Sequence, residues 1–142
     1  MAKILVPYDG SDSAQHALQY VISSLAPYMP VTVHVLNVQE PPVMYSEFPA
    51  YQMVEQLMDA ARAQGDRLTQ EAAQRLATAG VAHTTQVVVG NTAQTIADAA
   101  KEHAVDQIVM GTRGMGALSN LIVGSVATKV IHDATCPVTL VK

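Results

Sequence analysis

A chain of 142 residues, 49% of them apolar, can bury one real core, and 1–142 is expected to form a single domain. Its formal net charge of −4 argues against non-specific nucleic-acid binding, which needs a basic face. No apolar run approaches the roughly 18–20 residues of a membrane-spanning helix, MAKILVPYDG has no charged-then-apolar leader, and the single Cys136 excludes an internal disulfide; a cytoplasmic location is the expectation.

Ile4-Leu5-Val6 is a β-rich apolar run that Asp9-Gly10-Ser11-Asp12 interrupts. Helical spacing follows in Ala14, Ala17, Leu18, Val21 and Ile22, with Ser11 or Asp12 able to cap the first turn and Pro27 to end the helix. Val31 to Val38 reads as a second strand. Gln39 to Ala50, with Pro41, Pro42 and Pro49, reads as a loop and is the one candidate for mobility. Tyr51 to Ala79 is a long helical stretch, and Gly80 suits the position just past its end. A third strand runs from near Val81 to Val89, Gly90-Asn91-Thr92 turns the chain, and Ala93 to Glu102 is helical. Gln107 to Met110 is a fourth strand. Gly111 to Leu118 is a glycine-rich loop, Ser119 to His132 a helix and Pro137 to Val141 the last strand.

The alternation of strand and helix predicts an α/β, doubly wound, Rossmann-like domain with a five-stranded parallel sheet and helices on both faces. Strands that read as continuous apolar runs fit burial on both sides. The favoured strand order is 3-2-1-4-5, with the winding reversing between the first and fourth strands; order 2-1-3-4-5 stays open.

In such a sheet, ligands bind beyond the C-terminal strand ends at the switch point. The favoured order brings two segments there: Pro7-Tyr8-Asp9-Gly10-Ser11, and Gly111-Thr112-Arg113-Gly114-Met115-Gly116. Three glycines in six residues allow close backbone approach to an anion, and Ser125 and Arg113 could add a hydroxyl and a charge. Gly124 falls inside a helical pattern, where it costs about 1 kcal/mol against alanine unless a close contact requires it. A plain tight turn is the competing reading of these glycines, as a turn is of Asp9-Gly10. The spacing is neither a Walker A loop nor GxGxxG. Cys136 reads as a small buried hydrophobe, with a reactive thiol as the lesser reading. None of the five histidines shows metal-ligand spacing; His34 reads as a packed or edge polar residue. Met44, Met53 and Met58 read as core filler or a flexible lid rather than a cofactor box.

Gly111-x-x-Gly114, nine residues, then Gly124-Ser125 resembles the ATP-binding pattern of the universal stress protein family. The resemblance runs the whole chain, through Lys3 to Ser11, Val33-His34-Val35, Gly90 with Ile96 and Ala97, Asp106 to Gly111, and Pro137-Val138. It implies that Asp9, flanked by Pro7 and Tyr8, contacts the nucleotide ribose or base, and that the backbone of Val35 meets adenine. It implies further that Met110 and Gly111 begin the loop past ribose and phosphates, and that Gly114, Gly124 and Ser125 contact the triphosphate, with Val126 adjacent. Gly116 and Arg113 belong to the same loop, Arg113 at a variable position. The implied cofactor is ATP with Mg²⁺, and the implied assembly a homodimer through the last strand (Val138, Leu140), with a dimer of dimers as the larger form. The function that follows is a nucleotide-dependent regulatory module of the stress response acting on an unidentified protein partner. A slow ATPase or self-phosphorylating enzyme is the second reading, and a nucleotide-free dimeric interaction protein the third. AMP or cyclic AMP in place of ATP stays open.

Overall fold

The computed structural model describes residues 1–43, 50–114 and 123–142. The elements run β1 (Ala2–Pro7), α1 (Asp12–Tyr20), β2 (Val31–Gln39), α2 (Tyr51–Thr78), β3 (Ala82–Val89), α3 (Thr92–Glu102), β4 (Gln107–Gly111), α4 (Ser125–Asp133) and β5 (Val138–Val141). All strand pairs are parallel and the order is β3-β2-β1-β4-β5. The central strand β1 pairs with β2 on one side (Ile4↔Val33) and β4 on the other (Ile4↔Gln107), so the chain reverses its winding where β1 meets β4.

Strand alternation divides the core between two faces. Ile4, Val6, Val33, Val35 and Val109 meet Ala17 and Leu18 of α1 and Ala72 and Leu76 of α2. Leu5, Leu36, Ile108 and Met110 meet Ile96 and Ala100 of α3 and Ala127 and Val130 of α4. β1 and β4 have no polar face because both of their sides are covered. Each of the larger side chains buried here contributes about 1.5–3 kcal/mol.

The helix ends follow their local chemistry. Ser11 caps α1, its hydroxyl accepting from the Ala14 amide at 3.2 Å. The helix continues into one π-turn over Val21–Leu25, closed by Ala26 N–H to Val21 O at 2.9 Å, before Pro27 stops it. α2 ends on Gly80 at φ +70°, with Val81 N–H bonded to Leu76 O (2.9 Å) and Gly80 N–H to Ala77 O (3.0 Å). That pair of bonds is a Schellman closure, which needs the left-handed conformation glycine adopts cheaply. α3 closes the same way around Ala104 at φ +48°.

One expected element is corrected. The helix placed over Ser119 to His132 begins at Ser125; Val123 and Gly124 precede it in non-helical backbone, and 119–122 lie outside the described residues. Gly124 therefore occupies the N-cap (φ −73°, ψ 165°) and carries no mid-helix penalty. Residues 44–49 of the Gln39–Ala50 loop, Met44 and Pro49 among them, also lie outside the described residues. His34 is a partly buried strand residue, bonded to Thr84 Oγ1 (2.7 Å) and Gln86 Oε1 (2.9 Å), with the His103 ring 4.0 Å away. Cys136 is half-buried against the α3–α4 side, and desolvation raises its thiol pKa. No helix among the described residues is long and apolar enough to cross a membrane.

Candidate functional site

A cavity of about 270 Å³ opens at the C-terminal ends of β1 and β4, at the winding reversal. Pro7, Tyr8 and Asp9 enter it from β1, and Met110, Gly111, Arg113 and Gly114 from β4 and its loop. Gly124, Ser125 and Val126 enter it from the start of α4. The fold thus brings together ten of the residues singled out from sequence. Gly116 lies outside the described residues.

Val35 does not line the cavity with its side chain, which is fully buried on the α1–α2 face; the contact that the resemblance implies is through its backbone. The wall at β2 is instead Leu36 and Val38, which alternation places on the other face, joined by Thr92 and Ile96 from the start of α3. The sequence reading missed these four. Counting alternation outward from Val35 could have found Leu36 and Val38; Thr92 and Ile96 needed the crossover geometry of α3.

The acidic group is tied down locally. Asp9 Oδ1 accepts from the Ser11 amide at 3.0 Å, an Asx turn, while Oδ2 lies against Gly114. The turn reading and the site reading of Asp9 therefore describe the same residue. Tyr8 points the other way: its hydroxyl donates to Glu71 Oε1 on α2, and burial together with that carboxylate pushes its pKa well above the ordinary phenol value.

The glycine loop is clamped at both ends. Ser11 Oγ (3.3 Å) and Ser13 Oγ both donate to the Arg113 carbonyl. The Thr112 amide donates to Val141 O at 2.9 Å, and the Gly124 amide to Thr112 O at 2.6 Å. The two glycines at the loop's beginning do different things. A Cβ on Gly111 would stand 2.3 Å from Ser13 Oγ and 2.7–2.8 Å from the backbone of Ser13 and Ala14, so this glycine lets β4 press against the first turn of α1. Among the described residues, a Cβ on Gly114 would meet only Asp9 Oδ2, at 2.9 Å.

Of the four helices that start at this end of the sheet, three bring their first turns to the cavity. α1 is capped by Ser11 and α3 by Asn91, whose Oδ1 accepts from Gln94 N–H at 3.0 Å. α4 follows its N-cap Gly124 with no side-chain cap among the described residues, and its first intrahelical bond is Thr128 N–H to Gly124 O (3.0 Å). The amides of Ser125, Val126 and Ala127 thus have no acceptor within the helix, and all three residues line the cavity. An uncapped helix start beside a glycine loop suits an anionic oxygen.

The model of the universal stress protein family matches residues 1–142. The chain belongs to that family. A universal stress protein of Thermus aquaticus is 34% identical over 140 residues, covering 98% of this chain and 97% of its own. UspA of Lactobacillus plantarum, a solved structure, superposes with a TM-score of 0.84 at 26% identity, covering 99% and 97% of the two chains. A family member from Arabidopsis thaliana, solved with AMP bound, superposes at 0.75 with 19% identity, covering 100% of this chain and 92% of its own.

Proposed function

We propose that this member of the family binds an adenine nucleotide, ATP with Mg²⁺, and acts as a nucleotide-dependent regulator. The observation that carries the reading is the start of α4, which has no side-chain cap among the described residues and whose first residues line the switch-point cavity with Gly111 and Gly114. Phosphates would sit against Gly114, Gly124 and Ser125, and the base against the apolar wall of Leu36, Val38 and Ile96. The solved relatives that hold AMP, cyclic AMP and dAMP favour adenine as the base.

Regulation is favoured over turnover by what the cavity gathers. Its polar groups are mostly backbone amides and hydroxyls, which hold anions. The Asp9 carboxylate already accepts from the Ser11 amide, so it is poorly placed to activate a water. A regulator needs a second state that the ligand discriminates against. The exposed edge of β5, the last strand of the sheet, offers one through pairing with a second copy at Val138 and Leu140.

The test is to denature the purified protein, identify released nucleotide by chromatography, and titrate the stripped protein with Mg-ATP by calorimetry. About one site per subunit with negligible ADP production supports the proposal. No heat with ATP, ADP or AMP would end it. Sedimentation with and without ATP then asks whether the assembly responds.

A further inference from the structure

Thr112, between Gly111 and Arg113, is 5% exposed, and its Oγ1 is fully buried with no hydrogen-bond partner among the described residues. Its backbone, by contrast, is engaged on both sides, by Val141 O and by the Gly124 amide. The residue lines the same cavity as Gly114, Gly124 and Ser125. A buried hydroxyl without a partner has lost its water and gained nothing in return, so folding alone gives no reason for it. Valine would fill the same space without that penalty.

We propose that the Thr112 hydroxyl is a ligand group that donates a hydrogen bond to a phosphate oxygen of the nucleotide seated at the start of α4. This rests on the nucleotide reading above and extends it to a residue the glycine pattern leaves unspecified. Three features select a phosphate oxygen. The hydroxyl carries one donatable hydrogen, and a phosphate oxygen only accepts. The Thr112 carbonyl is bonded to the amide of Gly124, the N-cap of α4, so the residue stands beside the first turn of that helix. Turning the hydroxyl toward the cavity breaks no side-chain hydrogen bond among the described residues. A charge-assisted bond formed there then offsets a penalty already present in the free protein.

The experiment compares wild type, Thr112→Val and Thr112→Ser by thermal melting without nucleotide and by calorimetry with ATP, AMP and adenosine. Thr112→Val is expected to melt at or above the wild-type temperature, because an unpaired buried hydroxyl is gone. It is expected to bind ATP and AMP roughly ten- to a hundredfold more weakly, the range for a hydrogen bond to a charged group. Adenosine should bind both proteins within about twofold, and Thr112→Ser should bind nucleotides nearly as wild type does. A Thr112→Val protein that melts lower marks the hydroxyl as structural and overturns the assignment. So does one that binds ATP as tightly as wild type, or that loses adenosine equally. Wild type that binds no adenine nucleotide overturns the nucleotide reading itself, and is told apart because no variant is needed to see it.

Discussion

Adding one methyl group at Gly111 and one at Gly114 should separate stability from binding within a single motif. The Gly111→Ala Cβ would fall 2.3 Å from Ser13 Oγ, 2.7 Å from Ser13 C and 2.8 Å from Ala14 N. Two of these atoms are backbone of the first turn of α1, which is buried and cannot rotate away. Overpacking costs about 1–3 kcal/mol, and backbone contacts put this case at the upper end, about 3 kcal/mol. An unfolding entropy of about 2.1 cal/mol/K per residue over 142 residues gives about 0.3 kcal/mol/K, so the melting temperature should drop by about 10 °C. Among the described residues, the Gly114→Ala Cβ meets one side-chain atom, Asp9 Oδ2 at 2.9 Å, and no backbone. That protein should melt within about 3 °C of wild type, a cost near 1 kcal/mol, and lose nucleotide affinity. Differential scanning calorimetry and nucleotide titration of both variants make the comparison. Gly111→Ala melting with wild type while losing ligand would refute the argument that this glycine serves the β4–α1 contact.

Other substitutions test separate features. Gly65 lies mid-helix in α2, where alanine should gain about 1 kcal/mol, yet its Cβ would stand 2.4 Å from Val87 Cγ1 and 2.8 Å from Asn37 Oδ1. Gly65→Ala should therefore destabilise by about 2 kcal/mol in urea titration, and Val87→Ala should partly relieve it, a coupling the double-mutant cycle reads directly. Ala104 is exposed and left-handed at φ +48°, so Ala104→Gly should stabilise by up to about 1 kcal/mol, visible as a raised melting temperature. Burial lowers the His34 pKa; the neighbouring His103 adds to this, while Gln86 and Glu102 oppose it. The unfolded chain then binds this proton first, so stability should fall as pH drops through about 6.5 toward the lowered value. His34→Gln should flatten that part of the profile in urea titrations between pH 7.5 and 5, and an unchanged slope would assign it to other groups.

The sheet order was legible because each strand carries its own evidence. Ile4-Leu5-Val6 and Ile108-Val109-Met110 are apolar at every position, which only burial on both faces tolerates, and these strands occupy the middle of the sheet. β3, reading Ala-His-Thr-Thr-Gln before its valines, is polar enough to be an edge and is one. The end of α2 was legible because Gly80 closes a helix by one local rule. The start of α4 was not, because helical periodicity runs on through Val123 and Gly124, whose backbone is not helical. Gly124 looks like a costly interior residue until its N-cap position is seen.

Within the candidate site, sequence could name the glycines but not tell them apart. Gly111 and Gly114 are equivalent as letters in a pattern, yet one faces the backbone of α1 and the other faces Asp9. That difference is made by the packing of a helix about 100 residues away in the chain, held by Ser11 and Ser13 against the Arg113 carbonyl. The same contact would let the proposed anion site persist without a strongly basic surface. The clamp fixes Arg113 against α1, the Gly124–Thr112 bond fixes the N-cap of α4 against β4, and the first amides of α4 are thereby held in place before any ligand arrives. Binding then needs little ordering of the backbone at these clamped points, which is where a preformed site gains affinity over a flexible one. Removing the Ser13 hydroxyl should therefore weaken nucleotide binding without touching a ligand atom, and Ser13→Ala with undiminished affinity would show that the loop holds its shape unaided.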